Sequence, residues 1–480
     1  MENDIIKFLN LTDASLQITK IEIIKETKII HIQKKLVPEY CPICSTRMFS
    51  KGIYKRSVNH PILQDGYQLT LLISQRKWKC SNPLCKHIHN DEFSFIEKYK
   101  QSTNITPFLI LSEMKDLSKT TTEVASRFNV SDTYVHYTFM QYIDLQRLPL
   151  PKYLSIDEVY LNIDDKNKYA LVLMDFVTGE IIDILPNRKD ETTADYFYAI
   201  PREERNKVEY IICDMYNPYL NYTTKYFKNA QAIVDSFHVI QWLNRKINLY
   251  INQIKKKYQD RDNKELQEKN KKSNKDAVTL QTSKEVYLLN NYRWVLLKNR
   301  DRIDYSTFRR YNRKLRMYLD TVGLENAFLS LEDNFLKIRI LKEKYIAFNQ
   351  LEQCDENTLS NELSNLIKEY ANSELSIFKE FSDLLVKYRK EILNSFLRVE
   401  SKLSIENNEE LFRRLSNGPM EGFNRKPKDY KRNSRGISNF YYTRNRILWA
   451  TRLNPTILAI PKTKKSIYFT SELKRGKYKK

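Results

Sequence analysis

The alternation of apolar and polar positions divides the chain into stretches of different character. Up to about residue 100 the pattern is that of strands: Lys20-Ile21-Glu22-Ile23 alternates, and Gln68-Leu69-Thr70-Leu71-Leu72-Ile73 is a short apolar run. Between about Thr103 and Leu148 the spacing becomes helical, and from about Lys152 to Val239 strands and helices alternate. No proline then occurs between Pro218 and Pro419, and Gly323 is the only glycine between Gly179 and Gly418. With the two strongest helix breakers nearly absent, residues 246–404 are predicted to be mostly helical. The stretch from Lys255 to Lys275 is so charged that it reads as an exposed helix end or loop rather than core. Glycines return after Ser416, in a basic segment, and no repeat of fixed period is present.

These changes of pattern over 480 residues predict an α/β protein of several domains, about three at ~150 residues each. Apolar residues make up 41% and aromatics 12%, enough for real cores, which excludes a disordered chain. The net charge of +22 favours a polyanionic partner, nucleic acid ahead of a membrane surface. The start, MENDIIKFLNLTD, lacks the features of a signal peptide, and no apolar stretch approaches the ~18–20 residues needed to cross a bilayer. A cytoplasmic protein without membrane contact is expected.

Four of the six cysteines form two close pairs, Cys41-Pro-Ile-Cys44 and Cys80-Ser-Asn-Pro-Leu-Cys85. Two short turns that each offer two thiolates suit one tetrahedral Zn2+, and the intervening residues leave room for a hairpin around Tyr67–Trp78. His87 and His89 lie near enough to replace or supplement Cys85. Four protein ligands leave no open coordination position, so the expected role is structural, in a zinc-ribbon-like β module.

Farther on, Thr120 with Glu123 fits a capping box, Asn129 suits a left-handed turn, and Ser131 can cap a second helix. Val124, Ala125, Phe128, Val130 and Val135 would form the shared core of a helix-turn-helix. Its second helix would bring Asp132, Thr133, Tyr134 and His136 near a major groove. An ordinary helical hairpin is the alternative.

Three acids complete the candidate chemistry. Asp157 lies in the strand-like Tyr153–Tyr160, and Asp214 ends the strand-like Val208–Asp214. Between them fall two further strands, Tyr169–Phe176 and Ile181–Leu185, and a helix at Thr192–Ala199. This order is that of a ribonuclease H-like domain, in which the first and fourth strands are neighbours. Asp157 and Asp214 would then face each other, an arrangement suited to a pair of Mg2+ ions. Glu421 follows Pro419 at a helix start, with Asn424, Arg425 and Lys428 expected on the same face to grip phosphates. Gly422 within this helix suggests a close approach, and Pro427 is expected to end or kink it, which leaves open the path of Lys428–Arg432.

Taken together, the cysteine pairs, the helix-turn-helix pattern, SIDEVY, ICDMYNPY, VDSFHVIQ and SNGPMEGFNRKPKDYKR resemble the transposases of the ISL3 family of bacterial insertion sequences. The resemblance covers nearly the whole chain. It implies a DDE enzyme with Asp157, Asp214 and Glu421 holding two Mg2+ or Mn2+ ions, and Asp235 and His238 as a D-x-x-H element that is either accessory to catalysis or a plain helix start. It also implies the partner, double-stranded DNA, as the element's terminal inverted repeats and the target; because two ends must be brought together, a homodimer is expected in the DNA complex. DNA contacts would come from Thr133, Tyr134 and His136, and from Asn424, Arg425, Lys428, Lys431 and Arg432. The corresponding division is a zinc module over 1–100, the helix-turn-helix over 101–149, a ribonuclease H-like domain over 150–245 and 405–455, a helical insertion over 246–404 between its two parts, and a basic tail over 456–480. Three alternatives remain at this level: another nuclease or resolvase on the same fold, a catalytically inactive DNA-binding derivative of a transposase, and an RNA-binding or RNA-processing protein, which the helix-turn-helix pattern disfavours.

Overall fold

The computed structural model describes residues 2–11, 13, 15–64, 67–272, 282–352, 354–400, 412–434 and 439–467. Parts of the expected insertion, second catalytic segment and tail (273–281, 401–411, 435–438 and 468–480) therefore lie outside the described residues. The chain is a mixed α/β protein that divides into two compact units. One comprises Met1–Leu148, Val159–Ala170 and Phe423–Lys480, and the other Pro149–Glu158 and Leu171–Gly422.

The first unit opens with α1 (Glu2–Phe8) and a five-stranded sheet of β1 (Leu16–Ile24), β2 (Thr27–Lys34), β3 (Met48–Gln64), β4 (Tyr67–Cys80) and β5 (Ile88–Asn90). The order is β1-β2-β4-β3, with β5 on β4. Its inward positions, among them Ile32, Val58, Leu71 and Ile73, are fully buried with Leu16 and Phe95. Three helices follow: α2 (Thr106–Glu113), α3 (Thr121–Arg127) and α4 (Asp132–Tyr142). The local signals read from sequence are present there. Thr120 and Glu123 form the capping box, Asn129 has φ +50°, and the Ser131 hydroxyl accepts the Tyr134 N–H at 3.1 Å. Val124, Val135 and Phe139 are buried where these helices pack.

In the second unit the sheet contains β6 (Tyr153–Tyr160), β7 (Tyr169–Asp175), β8 (Ile181–Leu185), β9 (Tyr210–Cys213) and β10 (Gln231–Val234), in the order β10-β9-β6-β7-β8. The crossovers carry α5 (Asp190–Tyr198), α6 (Arg202–Arg205), α7 (Asn217–Leu220) and α8 (Tyr222–Lys225). Strands β10, β9 and β6 run parallel, whereas β7 and β8 are antiparallel. The central strands are apolar on both faces, as a sheet covered on both sides requires: Leu154, Ile156, Ile211, Ile212 and Ile233 are fully buried.

The helical stretch begins with α9 (Ser236–Lys272), which runs through residue 246 without a break, and continues with α10 (Lys284–Asn291) and α11 (Trp294–Leu297). A short hairpin of β11 (Arg310–Asn312) and β12 (Met317–Leu319) interrupts the helices. Then come α12 (Thr321–Leu329), α13 (Asp333–Asn349), α14 (Glu356–Ala371), α15 (Ser376–Lys387) and α16 (Arg389–Asn394), and a strand pair, β13 (Arg398–Glu400) with β14 (Phe412–Arg414). The apolar faces of α14 and α15, through Leu363, Tyr370, Phe378, Phe381 and Leu385, close on the core of this helical region.

Two further helices follow, α17 (Gly418–Asn433) and α18 (Phe440–Thr451), and the described residues run on to a last helical turn at 464–467. Helix α17 continues through Pro427 to Asn433, so of the two expected effects the proline does not end the helix. Pro427 removes one donor and leaves the Phe423 carbonyl without its i+4 partner. Its ring is buried, and the helix is held by Met420, Phe423 and Tyr430 on the same inward side. Among the described residues no helix is long and apolar enough to cross a membrane.

Candidate active site

Parallel pairing brings three aspartates level. Strand β6 pairs with β9 in the register Tyr153↔Tyr210, Leu154↔Ile211 and Ser155↔Ile212, and β9 pairs with β10 as far as Cys213↔Val234. Carried two residues along β6, the first register sets Asp157 level with Asp214. The second, carried one residue, sets Asp235 beside Asp214, with the Asp235 N–H donating to the Cys213 carbonyl at 3.2 Å. The carboxyl ends of neighbouring parallel strands are where open α/β sheets place their ligand sites.

Helix α9 starts at once after Asp235 and returns His238 over this edge. The Asp235 carboxylate accepts the Phe237 N–H at 3.2 Å, an N-capping contact, while His238 Nε2 lies 2.6 Å from Asp214 Oδ1. Asp235 is therefore a helix cap and part of the acidic cluster together. Glu421 arrives on the first turn of α17, and one ligand atom each from Asp235, His238 and Glu421 lies within 4.8 Å of the others. Asp214 touches this group through His238, and the charge of Asp157, level with Asp214 on the next strand, also acts on His238.

Burial first, and then the charge of Asp214, push the Asp157 carboxyl up to about 6, although the Glu158 N–H donates to it at 2.7 Å. Burial disfavours the His238 imidazolium. The hydrogen bond to Asp214 and the charges of Asp214, Asp235 and Asp157 outweigh it, so the His238 pKa rises. Burial also raises Asp235. Crowded carboxyls with raised pKa values fit divalent cations, whose charge and oxygen-ligand preference would relieve the repulsion.

One positioning residue escaped the sequence reading. Asn417 is fully buried, and its Nδ2 donates to the Ile156 carbonyl at 3.2 Å. Its backbone N–H bonds to Asp235, and its carbonyl accepts the Glu421 N–H at 2.9 Å. Thus one residue ties the start of α17 to the strand beside Asp157 through its side chain, and to the cap of α9 through its backbone. Its signal was an Asn-Gly-Pro helix entry, visible in sequence, but the partners were not. Glu158 points elsewhere, accepting from Tyr219 Oη at 2.7 Å and pairing with Arg188.

The groups expected to meet DNA fare differently. Arg425, Lys428 and Arg432 are exposed on α17, whereas Lys431 is half-buried over the Tyr160 ring. Arg432 pairs with Asp429 at 3.1 Å. Asn424 is only 3% exposed and lies on the inward side with Phe423 and Pro427, so the face expected to be shared with Glu421 is corrected to exclude it. Gly422 is exposed, and a Cβ there would meet nothing within 4 Å among the described residues, so no close approach within them requires the glycine. On α4, Thr133 is exposed, but Tyr134 Oη bonds Ser102 at 2.9 Å and the His136 ring stacks on Tyr442 at 4.3 Å.

The cysteine pairs converge in the first unit. Cys41 Sγ lies 3.6 Å from Cys85 Sγ, Cys44 Sγ lies 3.5 Å from Cys80 Sγ, and all four lie within 4.8 Å of one another. Tetrahedral Zn–S bonds of ~2.3 Å require sulfurs about 3.8 Å apart, so the quartet fits one Zn2+. Thr46 contacts lower the Cys44 thiol to about 6, and burial pushes Cys80 up to about 12. His87 and His89 stand outside the quartet, with rings 5.5 Å apart and His89 Nε2 bonded to Glu39 at 3.1 Å.

A protein of Bordetella parapertussis, the transposase for insertion sequence element IS1001, is 24% identical over 155 residues. That alignment covers 32% of this chain and 32% of the relative, so the chain spans about a third of that protein's length. The family model described as a transposase, that of the ISL3 DDE transposases, matches residues 154–447, from β6 through α18 and including every acidic residue of the cluster. With more than half of its length matched, this chain belongs to the ISL3 family of DDE transposases.

Proposed function

We propose that the protein is the transposase of an insertion sequence, which binds the terminal inverted repeats of its element, cuts the DNA there and joins the freed 3′ ends to target DNA. The observation that carries this reading is the carboxyl edge of three parallel strands, where the registers set Asp157 and Asp235 on either side of Asp214, His238 contacts Asp214, and Asp235, His238 and Glu421 come within 4.8 Å of one another. The strand order and directions support a ribonuclease H-like domain, with 246–404 as its helical insertion. The capped helices α3 and α4 support a helix-turn-helix, and the cysteine quartet supports a structural Zn2+.

Asp157, Asp214 and Glu421 would hold two Mg2+ or Mn2+ ions. Bound there, such ions supply a water of lowered pKa and stabilise the leaving oxyanion. The residues of the chain do the positioning. Asn417 sets Glu421 against the strand edge. His238 Nε2, 2.6 Å from Asp214 Oδ1, holds that carboxylate by a close ionic contact. Asp235 holds the start of α9, so that His238 stays in reach. Exposed Arg425 and Lys428 would meet phosphates near the cut. The bound state is proposed to be a homodimer on double-stranded DNA in the cytoplasm, since two ends must be joined together.

The test uses Asp157→Asn, Asp214→Asn and Glu421→Gln in the full chain, with cleavage of a duplex carrying the element's end. Each should retain end binding and reduce Mg2+-dependent cutting to background. Their combination should cost little more than one alone, because groups acting as a unit are not additive. An Asp214→Asn protein that nicks at the native rate would overturn the assignment.

A further inference from the structure

The β11–β12 hairpin in the helical region is unused by this reading, yet its surface is unusual. Between residues 309 and 318 there are five basic residues and no acidic one. Arg310, Arg313 and Arg316 are exposed and make no ion pair among the described residues, and Arg309 reaches Asp320 only at 3.8 Å. Between these charges stand large rings in solvent: Phe308 is 69% exposed, Tyr311 53% and Tyr318 67%. Tyr311 and Tyr318 are cross-strand partners with ring centroids 5.1 Å apart, and the Arg310 guanidinium lies over Phe308.

A hairpin with three residues in each strand does not hold itself together in water. This one is fixed by its turn. Leu315 is buried in the helical core, and Asn312 Nδ2 donates to Tyr292 Oη at 2.9 Å. Asn312 Oδ1 accepts the Lys314 and Leu315 N–H groups at 3.0 and 3.1 Å. The Arg316 N–H closes onto the Asn312 carbonyl at 2.8 Å, with Arg316 itself at φ +58°. The turn thus anchors the ribbon and presents its arginines and tyrosines outward, already ordered.

We propose that this ribbon is a DNA-contacting site in its own right, gripping the phosphate backbone of duplex DNA without regard to sequence. Unpaired guanidinium groups and tyrosine hydroxyls are the side chains that phosphates recruit, and a two-stranded ribbon is of a size the major groove admits. A second copy of the chain is disfavoured as the occupant, because each copy carries +22 and the patch offers no acidic residue to offset the repulsion. The inference rests on the transposase reading for the kind of polyanion, and it adds a site built from residues other than those of the acidic edge.

The test compares full-length Glu421→Gln protein with the same protein carrying Arg310→Gln, Arg313→Gln and Arg316→Gln. Binding to a duplex of unrelated sequence is measured from about 50 to 300 mM salt, the range over which counterion release is read. Three lost phosphate contacts should make the slope of log K against log salt shallower by about 2.7, at ~0.9 each, and weaken binding roughly tenfold or more at the low end. Arginine-to-lysine replacements at the same positions should restore most of the slope. Should the triple variant melt early, the single variants Arg310→Gln and Arg313→Gln carry the test, each expected to change the slope by about 0.9. An unchanged slope in well-folded variants overturns the proposal, and so does a change confined to the oligomeric state. Failure of the Glu421→Gln parent to bind any duplex would instead count against the transposase reading itself.

Discussion

Removing the charge of Asp157 should stabilise the metal-free protein, although it should abolish cutting. In the folded chain this carboxyl is raised from 3.8 to about 6, by burial and then by the Asp214 charge. That difference of about 2 units corresponds to about 3 kcal/mol at 1.36 kcal/mol per unit. Partial solvent access lowers the realistic figure to about 1–2 kcal/mol. The sign follows from proton binding: between pH 3.8 and about 6 the folded state holds more protons than the unfolded one, so stability falls as pH rises through that window. Above about 6 the penalty is complete, and below 3.8 it vanishes. Chemical denaturation in a chelator at about pH 8 should therefore show Asp157→Asn more stable than the native protein by about 1–2 kcal/mol. The gap should close towards pH 4, and Mg2+ should stabilise the native protein more than the variant. A variant that is equally or less stable in chelator at pH 8 would mean that neither burial nor the Asp214 charge penalises the Asp157 carboxylate, and the electrostatic argument for a cation there would fail.

Three further outcomes are expected. Purified protein should hold about one Zn2+ per chain, and Cys41→Ser should destabilise the β3–β4 hairpin by several kcal/mol; full zinc content after replacement of all four cysteines would refute the site. His60, buried between the Thr103 hydroxyl and the Leu9 carbonyl, has its pKa lowered to about 4 by burial, so the first unit should lose up to about 3 kcal/mol as pH falls from 6.5 to 4. His60→Gln, measured by urea unfolding, should flatten that dependence. Asn417→Ala should leave DNA binding intact but slow cleavage by roughly 10- to 100-fold, the usual loss when an outer-shell partner is removed; a native cleavage rate would refute its positioning role.

Local chemistry was legible along the chain. The capping box at Thr120, the left-handed Asn129, the Ser131 cap and the spacing of the cysteine pairs involve groups within a few residues of each other, so sequence alone specifies them. The strand-strand-strand-helix-strand order and the helical tendency of the proline-free stretch were legible for the same reason. The inward turn of Asn424 and the unbroken passage of α17 through Pro427 were decided by packing of Met420, Phe423 and Tyr430, which outweighs one missing hydrogen bond. The join of Asp235 and His238 to the acidic edge was settled by parallel register between β9 and β10, a long-range pairing that no local pattern encodes. So too with Asn417: its type was plain in the sequence, but its grip on Ile156, a strand far removed in sequence, exists only once the chain has folded.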